Sequence, residues 1–214
     1  MNNFSDYWDH KHVNYGHEDW IVKPSLFAMW AMTYFPTDGK VLDLGAGQGQ
    51  DSRYFASNGY KVTSTDFSDT ALENNRQKIT PDIVDKMTIE EIDLSKPFKY
   101  EDSSFDVVYS HLATHYFTGE VTKQLFSEMH RVLKQGGVLA LLTNSTTDPQ
   151  YGTGEKIEED YFEIEGINKR YFSVESIQKF TSLFETVVID DKGETYKDRA
   201  ANINNLIRFI GRKK

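Results

Sequence analysis

Val41-Leu42-Asp43-Leu44-Gly45-Ala46-Gly47-Gln48-Gly49-Gln50-Asp51 leaves fewer folds open than any other stretch of the chain. A short apolar run stops at three glycines spaced Gly-x-Gly-x-Gly. A helical stretch, Asp51–Ser57, follows at once and ends at Asn58-Gly59. Strand, glycine loop and helix in that order let a backbone press close against a ligand beyond the strand's end. Gly45 and Gly47 supply turn conformations that a Cβ forbids, and amide groups are expected to be free at the helix start. The dinucleotide fingerprint Gly-x-Gly-x-x-Gly needs its third glycine at position 50, where Gln50 stands; the third glycine here is Gly49. Asp43, at the tip of the strand, would repel a pyrophosphate and attract an ammonium group.

The alternation continues downstream. Strands are predicted at Lys40–Leu44, Lys61–Asp66, Met87–Asp93, Phe105–Ser110 and Val138–Thr143. Helices are predicted from about Asp69 to Lys78 and from about Glu120 to Lys134, the second closed by a left-handed cap at Gln135-Gly136-Gly137. Upstream, residues 1–20 lack a clean period and read as loop and short helix. An apolar helical face then runs from Pro24 to Phe35. Downstream, residues 145–172 form a polar, aromatic-rich insertion. A helix is expected at Val174–Phe184, then a closing strand pair at Glu185–Asp190 and Leu206–Gly211. The pattern predicts an α/β fold with a doubly wound, mainly parallel seven-stranded sheet whose C-terminal strand pair is antiparallel. Ligands on such sheets bind beyond the carboxyl ends of the strands.

Composition removes several chemistries. The 214 residues include no cysteine, so disulfides, thiolate zinc sites and cysteine nucleophiles are excluded. A formal charge of −9 argues against an extended nucleic acid contact, which draws on clustered Lys and Arg. No apolar run reaches a membrane span and the N-terminus lacks a signal-peptide pattern, so a cytoplasmic location is expected.

Asp43-x-Gly45-x-Gly47-x-Gly49 resembles motif I of the class I S-adenosylmethionine-dependent methyltransferases. Asp66 follows Gly45 by 21 residues, at the tip of the second strand. Phe105-Asp106-Val107-Val108-Tyr109-Ser110-His111 resembles motif IV, which passes under the methionine part of the cofactor. Glu128 to Gly137 resembles the helix and turn leading to strand five. The resemblance covers roughly residues 38–143 and implies a Rossmann-like core there, within a single domain 1–214. Residues 1–37 would cap that core, and 144–214 would supply a substrate-side insertion and the closing strands. It implies S-adenosylmethionine as cofactor, with Asp43, Gly45, Ala46, Gly47 and Ser110 as contacts. Asp66 would accept the ribose hydroxyl protons, and Phe67 would lie against the adenine. Asp93 would accept from the adenine amino group, beside the backbone of Leu94. The aromatic caps and final strand pair resemble the small-molecule branch, including enzymes of the tellurite-resistance and thiopurine type. Asp66→Ala is expected to weaken cofactor binding and leave the fold intact.

A sulfonium methyl is already activated, so such an enzyme chiefly holds a nucleophile in line and excludes water. His111 and His115 are the candidates for a general base, sharing one face if their segment is helical. Ser110-His111-Leu112-Ala113 replaces the family's Asn/Asp-Pro-Pro-aromatic motif, which disfavours transfer to adenine exocyclic amines or glutamine amides. His10, His12 and His17 with Asp9, Glu18 and Asp19 match no metal-site spacing, so no metal is expected and a solvated polar lid is the reading. Tyr7, Trp8, Tyr15 and Trp20 either gate the pocket or pack against helix 24–35. Tyr151, Tyr161, Phe162, Arg170 and Tyr171 are candidates to line the acceptor pocket. Arg170 would pair there with an anionic substrate, or else form a surface salt bridge. The expected activity is methyl transfer to a small molecule at O, N, S or a related soft atom. The rivals are a non-catalytic binder of the same cofactor and a nicotinamide-dependent oxidoreductase.

Overall fold

The computed structural model describes residues 4–15, 18–200 and 205–214. His17 lies outside them, and the side chains of Phe4, Asp19 and Trp20 are likewise not described. Five strands, β1 (Lys40–Leu44), β2 (Lys61–Asp66), β3 (Met87–Glu91), β4 (Phe105–His111) and β5 (Leu133–Asn144), run parallel. A small antiparallel meander follows, β6 (Glu155–Glu158), β7 (Tyr161–Ile164) and β8 (Ile167–Arg170). Then β9 (Phe184–Gly193) and β10 (Leu206–Lys213) complete a seven-stranded sheet in the order β3-β2-β1-β4-β5-β10-β9, with β10 antiparallel to both neighbours. The helices are α1 (Phe4–Tyr15), α2 (Leu26–Ala31), α3 (Gln50–Ser57), α4 (Asp69–Gln77), α5 (Gly119–Val132), α6 (Val174–Gln178) and α7 (Tyr196–Ala200). Among the described residues no helix is long and apolar enough to cross a membrane.

The alternation of side chains along each strand divides the core in two. Leu42, Leu44, Val108, Leu139 and Leu141 face α5, where Leu125, Phe126 and Met129 meet them. Val41, Val107, Tyr109, Ala140 and Leu142 face the other way, against Phe27 and Ala31 of α2 and Phe55 of α3. Hydroxyl caps start the helices: Ser25 for α2, Ser68 for α4 and Thr118 for α5. Burial on both faces is why β1, β4 and β5 carry apolar residues at successive positions.

Several boundaries differ from expectation. Helix α5 stops at Val132, because Leu133 turns extended and pairs with Phe105. Gly136, at φ +73°, therefore absorbs a register shift inside β5 and caps no helix. Strand β3 ends at Glu91, which leaves Asp93 in a turn. The helix expected over 174–184 lasts only to Gln178. Thr181 turns its hydroxyl back to Ile177 O at 3.2 Å, and Phe184 opens β9. Residues 4–15, expected as loop and short helix, form one helix of twelve residues.

Candidate active site

Parallel pairing sets Asp43 beside Ser64 and Leu44 beside Thr65, so β1 and β2 end together. The loop between β1 and α3 holds Gly45, Gly47 and Gly49 at φ +69°, +55° and +74°. A Cβ on Gly45 would lie 2.2 Å from that of Ala113, so glycine is required there for space as well as for conformation. Three of the loop's amides are engaged within the protein, while no side chain caps the start of α3. Ala46 N donates to Thr65 O at 2.7 Å, Gly49 N to Ala46 O at 2.9 Å, and Gly47 N to Asp66 Oδ2 at 2.8 Å. Asp66 folds back onto the loop, and the neighbouring strand end takes another donor.

Beyond these strand ends lies a cavity of about 580 Å³. Asp43, Gly45, Ala46, Gly47, Asp66 and Phe67 border it, as do Asp93 and Leu94 beyond β3. Asp43 is 1% exposed and accepts a hydrogen bond from Ser52 Oγ at 2.5 Å. Burial pushes its carboxyl well above the usual range, and nearby Asp51 adds to the rise. Asp51 is itself buried on the cavity wall. It accepts from Ser25 N at 2.6 Å, Ser25 Oγ at 2.8 Å and Tyr109 OH at 2.6 Å. Asp66 accepts from Gly47 N and, at 3.0 Å, from Ser68 N; burial raises its pKa, and these amides and His12 oppose the rise. Among the described residues none of the three forms an ion pair with Lys or Arg. Three buried carboxylates on one cavity without a cation between them fit a positively charged ligand.

The two histidines part company. His111 closes β4 and borders the cavity, with its ring stacked 6.4 Å from Phe27. Its Nε2 is buried without a partner among the described residues, and burial lowers its pKa, which favours the neutral ring. His115 does not border the cavity; its Nδ1 lies 3.4 Å from Thr143 Oγ1 and its ring 4.3 Å from that of Tyr116. Residues 112–118 form turns, beginning with Leu112 at φ +58°, so the shared helical face does not exist. Ser110 is also absent from the cavity wall. Its Oγ donates to Leu44 O at 2.9 Å and ties the tips of β4 and β1 together. Asp93 sits at the rim, where its Oδ1 accepts from Ser95 N and Oγ and its Oδ2 pairs with Lys96 at 2.9 Å.

The acceptor-pocket candidates of the insertion face elsewhere. Tyr151, Phe162 and Tyr171 pack on one another in the meander's own small core. Arg170, 5% exposed, donates to Phe117 O at 3.0 Å and Glu159 O at 3.1 Å, pairs with Glu158 and covers the Tyr161 ring. It is consumed as a buried strut, neither a surface salt bridge nor an anion receptor. Tyr161 OH donates to Tyr116 O at 2.9 Å, so the meander braces the 112–118 turns that carry cavity wall residues. The wall is completed by Tyr116 and Phe117 from those turns and by Trp8, His12 and Tyr15 from α1. Tyr7 packs edge-on against Trp8 at 5.3 Å. Asp51 and His12 were not legible as cavity residues: an acid in a first helical turn is ordinary electrostatics, and α1 has no motif.

Residues 42–141 match the family model described as a methyltransferase domain. A malonyl-(acyl-carrier protein) O-methyltransferase of Enterobacter lignolyticus is 36% identical over 104 residues, 49% of this chain and 38% of the relative. An uncharacterized methyltransferase of Synechocystis sp. is 37% identical over 103 residues, 48% of this chain and 46% of the relative. The match thus spans less than half the length of these curated relatives. Among solved structures, the 1,6-didemethyltoxoflavin-N1-methyltransferase of Burkholderia thailandensis, with 1,6-didemethyltoxoflavin and S-adenosylhomocysteine bound, aligns with a TM-score of 0.73. The alignment covers 99% of this chain and 85% of that one at 14% identity, a likeness of fold.

Proposed function

We propose that this chain, whose residues 42–141 belong to the class I S-adenosylmethionine-dependent methyltransferases, transfers a methyl group from that cofactor to a small molecule held in the cavity beyond β1, β2 and β4. The observation that carries this reading is the group of buried carboxylates, Asp43, Asp51 and Asp66, bordering one cavity without a Lys or Arg partner among the described residues. A pyrophosphate would meet those charges, and the amides of Ala46, Gly47 and Gly49 are already engaged, which counts against a nicotinamide coenzyme. The cavity's size suits small ligands, for which volumes of roughly 300–1,000 Å³ are usual.

When bound, the cofactor supplies a methyl group activated by a positive sulfur. The chain's own residues then orient and enclose the reactants. Asp43 attracts the ammonium end, while Gly45, Ala46 and Gly47 admit close approach of the loop. Asp66 accepts ribose hydroxyl protons with the lone pairs its amide donors leave free. Phe67, Asp93 and Leu94 border the adenine side. Ser110 acts indirectly, by holding the strand tips in register. Trp8, Tyr116 and Phe117 exclude water. His111 takes the acceptor's proton at Nε2 where the nucleophile needs to lose one, in the tautomer that carries its own proton on Nδ1; burial holds the ring neutral beforehand. His115 supports the wall and does not touch the acceptor.

Calorimetry with S-adenosylhomocysteine and with NADH, followed by label transfer from S-adenosylmethionine to small O, N and S nucleophiles and a metabolite extract, tests the proposal. Binding of the first ligand alone and labelling of a small product are expected. Binding without transfer to any acceptor would favour the non-catalytic binder, and no binding would defeat both readings.

A further inference from the structure

His12 belongs to no motif, yet it is among the most enclosed side chains on the cavity wall. Helix α1 is pinned so as to hold it there. Asp9 Oδ1 accepts from Ser68 Oγ at 2.5 Å and Thr70 N at 3.2 Å, at the start of α4. His12 O accepts from Gln48 Nε2 at 2.7 Å, and fully buried Gln48 is held in turn by Lys78. These pins seat the imidazole, 7% exposed, directly on the glycine loop: a Cβ on Gly47 would meet His12 Cε1 at 3.0 Å. Tyr15 lies edge-on to the ring at 5.7 Å. Asp66 is close enough to act on the imidazole's charge, and both residues border the cavity. His12 Nδ1 nevertheless has no hydrogen-bond partner among the described residues. A packing residue at this site would need no nitrogen, and a cavity-wall residue with a buried, unsatisfied nitrogen is suited to a partner in the ligand.

Resting on the reading of this cavity as the cofactor site, we propose that His12 is a cofactor-binding residue whose ring N–H donates to a ribose hydroxyl oxygen. Asp66 supplies acceptors for the hydroxyl protons, and a hydroxyl that donates to a carboxylate keeps lone pairs for a donor. The two side chains are chemically complementary around one diol, and α1 becomes part of the recognition site as well as its cover.

Calorimetry with S-adenosylhomocysteine and its 2′-deoxy and 3′-deoxy counterparts tests this on the wild-type chain, His12→Phe and His12→Gln. Loss of the donor in His12→Phe should weaken binding of the parent ligand about tenfold, the size expected for one hydrogen bond. His12→Gln, which keeps a donor, should stay within about threefold. The His12→Phe penalty should vanish for one of the deoxy ligands. A His12→Phe chain that binds like wild type, or one that loses the same factor with all three ligands, overturns the proposal. Imidazole ¹⁵N signals of the wild-type protein test it without a variant: Nδ1 should shift on titration with S-adenosylhomocysteine, and a static signal overturns the contact. A wild-type chain that binds none of the three ligands takes down the underlying cofactor reading as well.

Discussion

Ser52 Oγ lies 2.5 Å from Asp43 Oδ2 and forms the last link of a buried relay across four elements. Asn75 of α4 donates through Nδ2 to Ser64 Oγ of β2 at 2.9 Å, and the Ser64 and Ser52 hydroxyls are 2.7 Å apart. A hydroxyl has one proton. When Asp43 of β1 is ionised, Ser52 of α3 gives its own to the carboxylate and Ser64 donates to Ser52. Every bond then points toward the carboxylate, and such chains polarise cooperatively. The relay opposes the desolvation of Asp43 while leaving the other carboxylate oxygen for a ligand.

Ser52→Ala should therefore cost about 1–3 kcal/mol of stability, since it leaves Asp43 without its donor and the Ser64 proton without an acceptor. It should also raise the Asp43 pKa further and so increase the protonated fraction, which cannot attract an ammonium group. Affinity for S-adenosylhomocysteine should fall more at pH 6 than at pH 8. Urea unfolding and calorimetry at the two pH values measure both effects, and an equal loss of affinity at each would refute the charge argument.

Asp66→Ala illustrates what the structure adds to the sequence. Read from the motif, the substitution touches only the ribose. In the fold it also strips acceptors from Gly47 N and Ser68 N, at 2.8 Å and 3.0 Å. Stability should drop by about 1–3 kcal/mol together with affinity, a cost the motif alone does not announce, while the fold stays intact. Asp66→Asn keeps one acceptor oxygen and should recover part of the stability but little of the binding. Thermal melting beside calorimetry separates the two losses; an unchanged melting temperature in Asp66→Ala would show that the amides find other partners.

The legible part of the molecule is the part whose local pattern and tertiary role coincide. Strands β1 and β2 matched their expected ends because glycine turns bound them, Gly39 and Gly45 around β1 and Gly59 before β2, and β-branched Val62, Thr63 and Thr65 favour an extended chain in β2. Asp43, Gly45, Gly47 and Phe67 border the cavity because the tips of β1 and β2 fix their positions, whatever packs around them. What escaped notice depends on distant partners. Leu112 at φ +58° breaks the helical spacing of His111 and His115, and nothing in a leucine announces that conformation. Arg170 looks like an anion receptor until Phe117 O, Glu159 O and Glu158 take up its donors. Helix α1 has a poorly separated apolar face, and its place is set by Asp9 and Gln48 reaching across the fold.

Gly49 tests how tightly the loop is fitted. It precedes α3 at φ +74°, and a Cβ would lie 2.1 Å from Asn75 Oδ1, at the head of the relay. Alanine in the left-handed region costs roughly 1–2 kcal/mol before any clash. Gly59, at φ +102°, has nothing within 4 Å of a Cβ and supplies the comparison. Gly49→Ala should destabilise by at least about 1 kcal/mol more than Gly59→Ala, because the displaced Asn75 leaves Ser64 without its donor. Matching urea midpoints for the two variants would mean that Asn75 moves without cost.

His115 makes stability depend on pH. Burial is the chief cause that pushes its pKa from 6.5 down to about 3, with the nearby Lys169 and His111 adding to it. In the unfolded chain the ring takes up a proton below about pH 6.5, whereas the folded chain keeps it neutral until about pH 3. The unfolded state thus binds more protons across that window, so stability falls as pH falls through it and the loss levels off below the folded value. Across the whole window the effect is on the order of 5 kcal/mol, and between about pH 6.5 and pH 4.5 on the order of 2–3 kcal/mol. His115→Gln removes the titrating group but leaves a polar side chain facing Thr143 Oγ1. Unfolding free energies near pH 7.5 and pH 4.5 should show a smaller acid loss in the variant than in wild type, by about that latter amount. Parallel losses in the two proteins would mean that the His115 ring takes up its proton in the folded state at an ordinary pH.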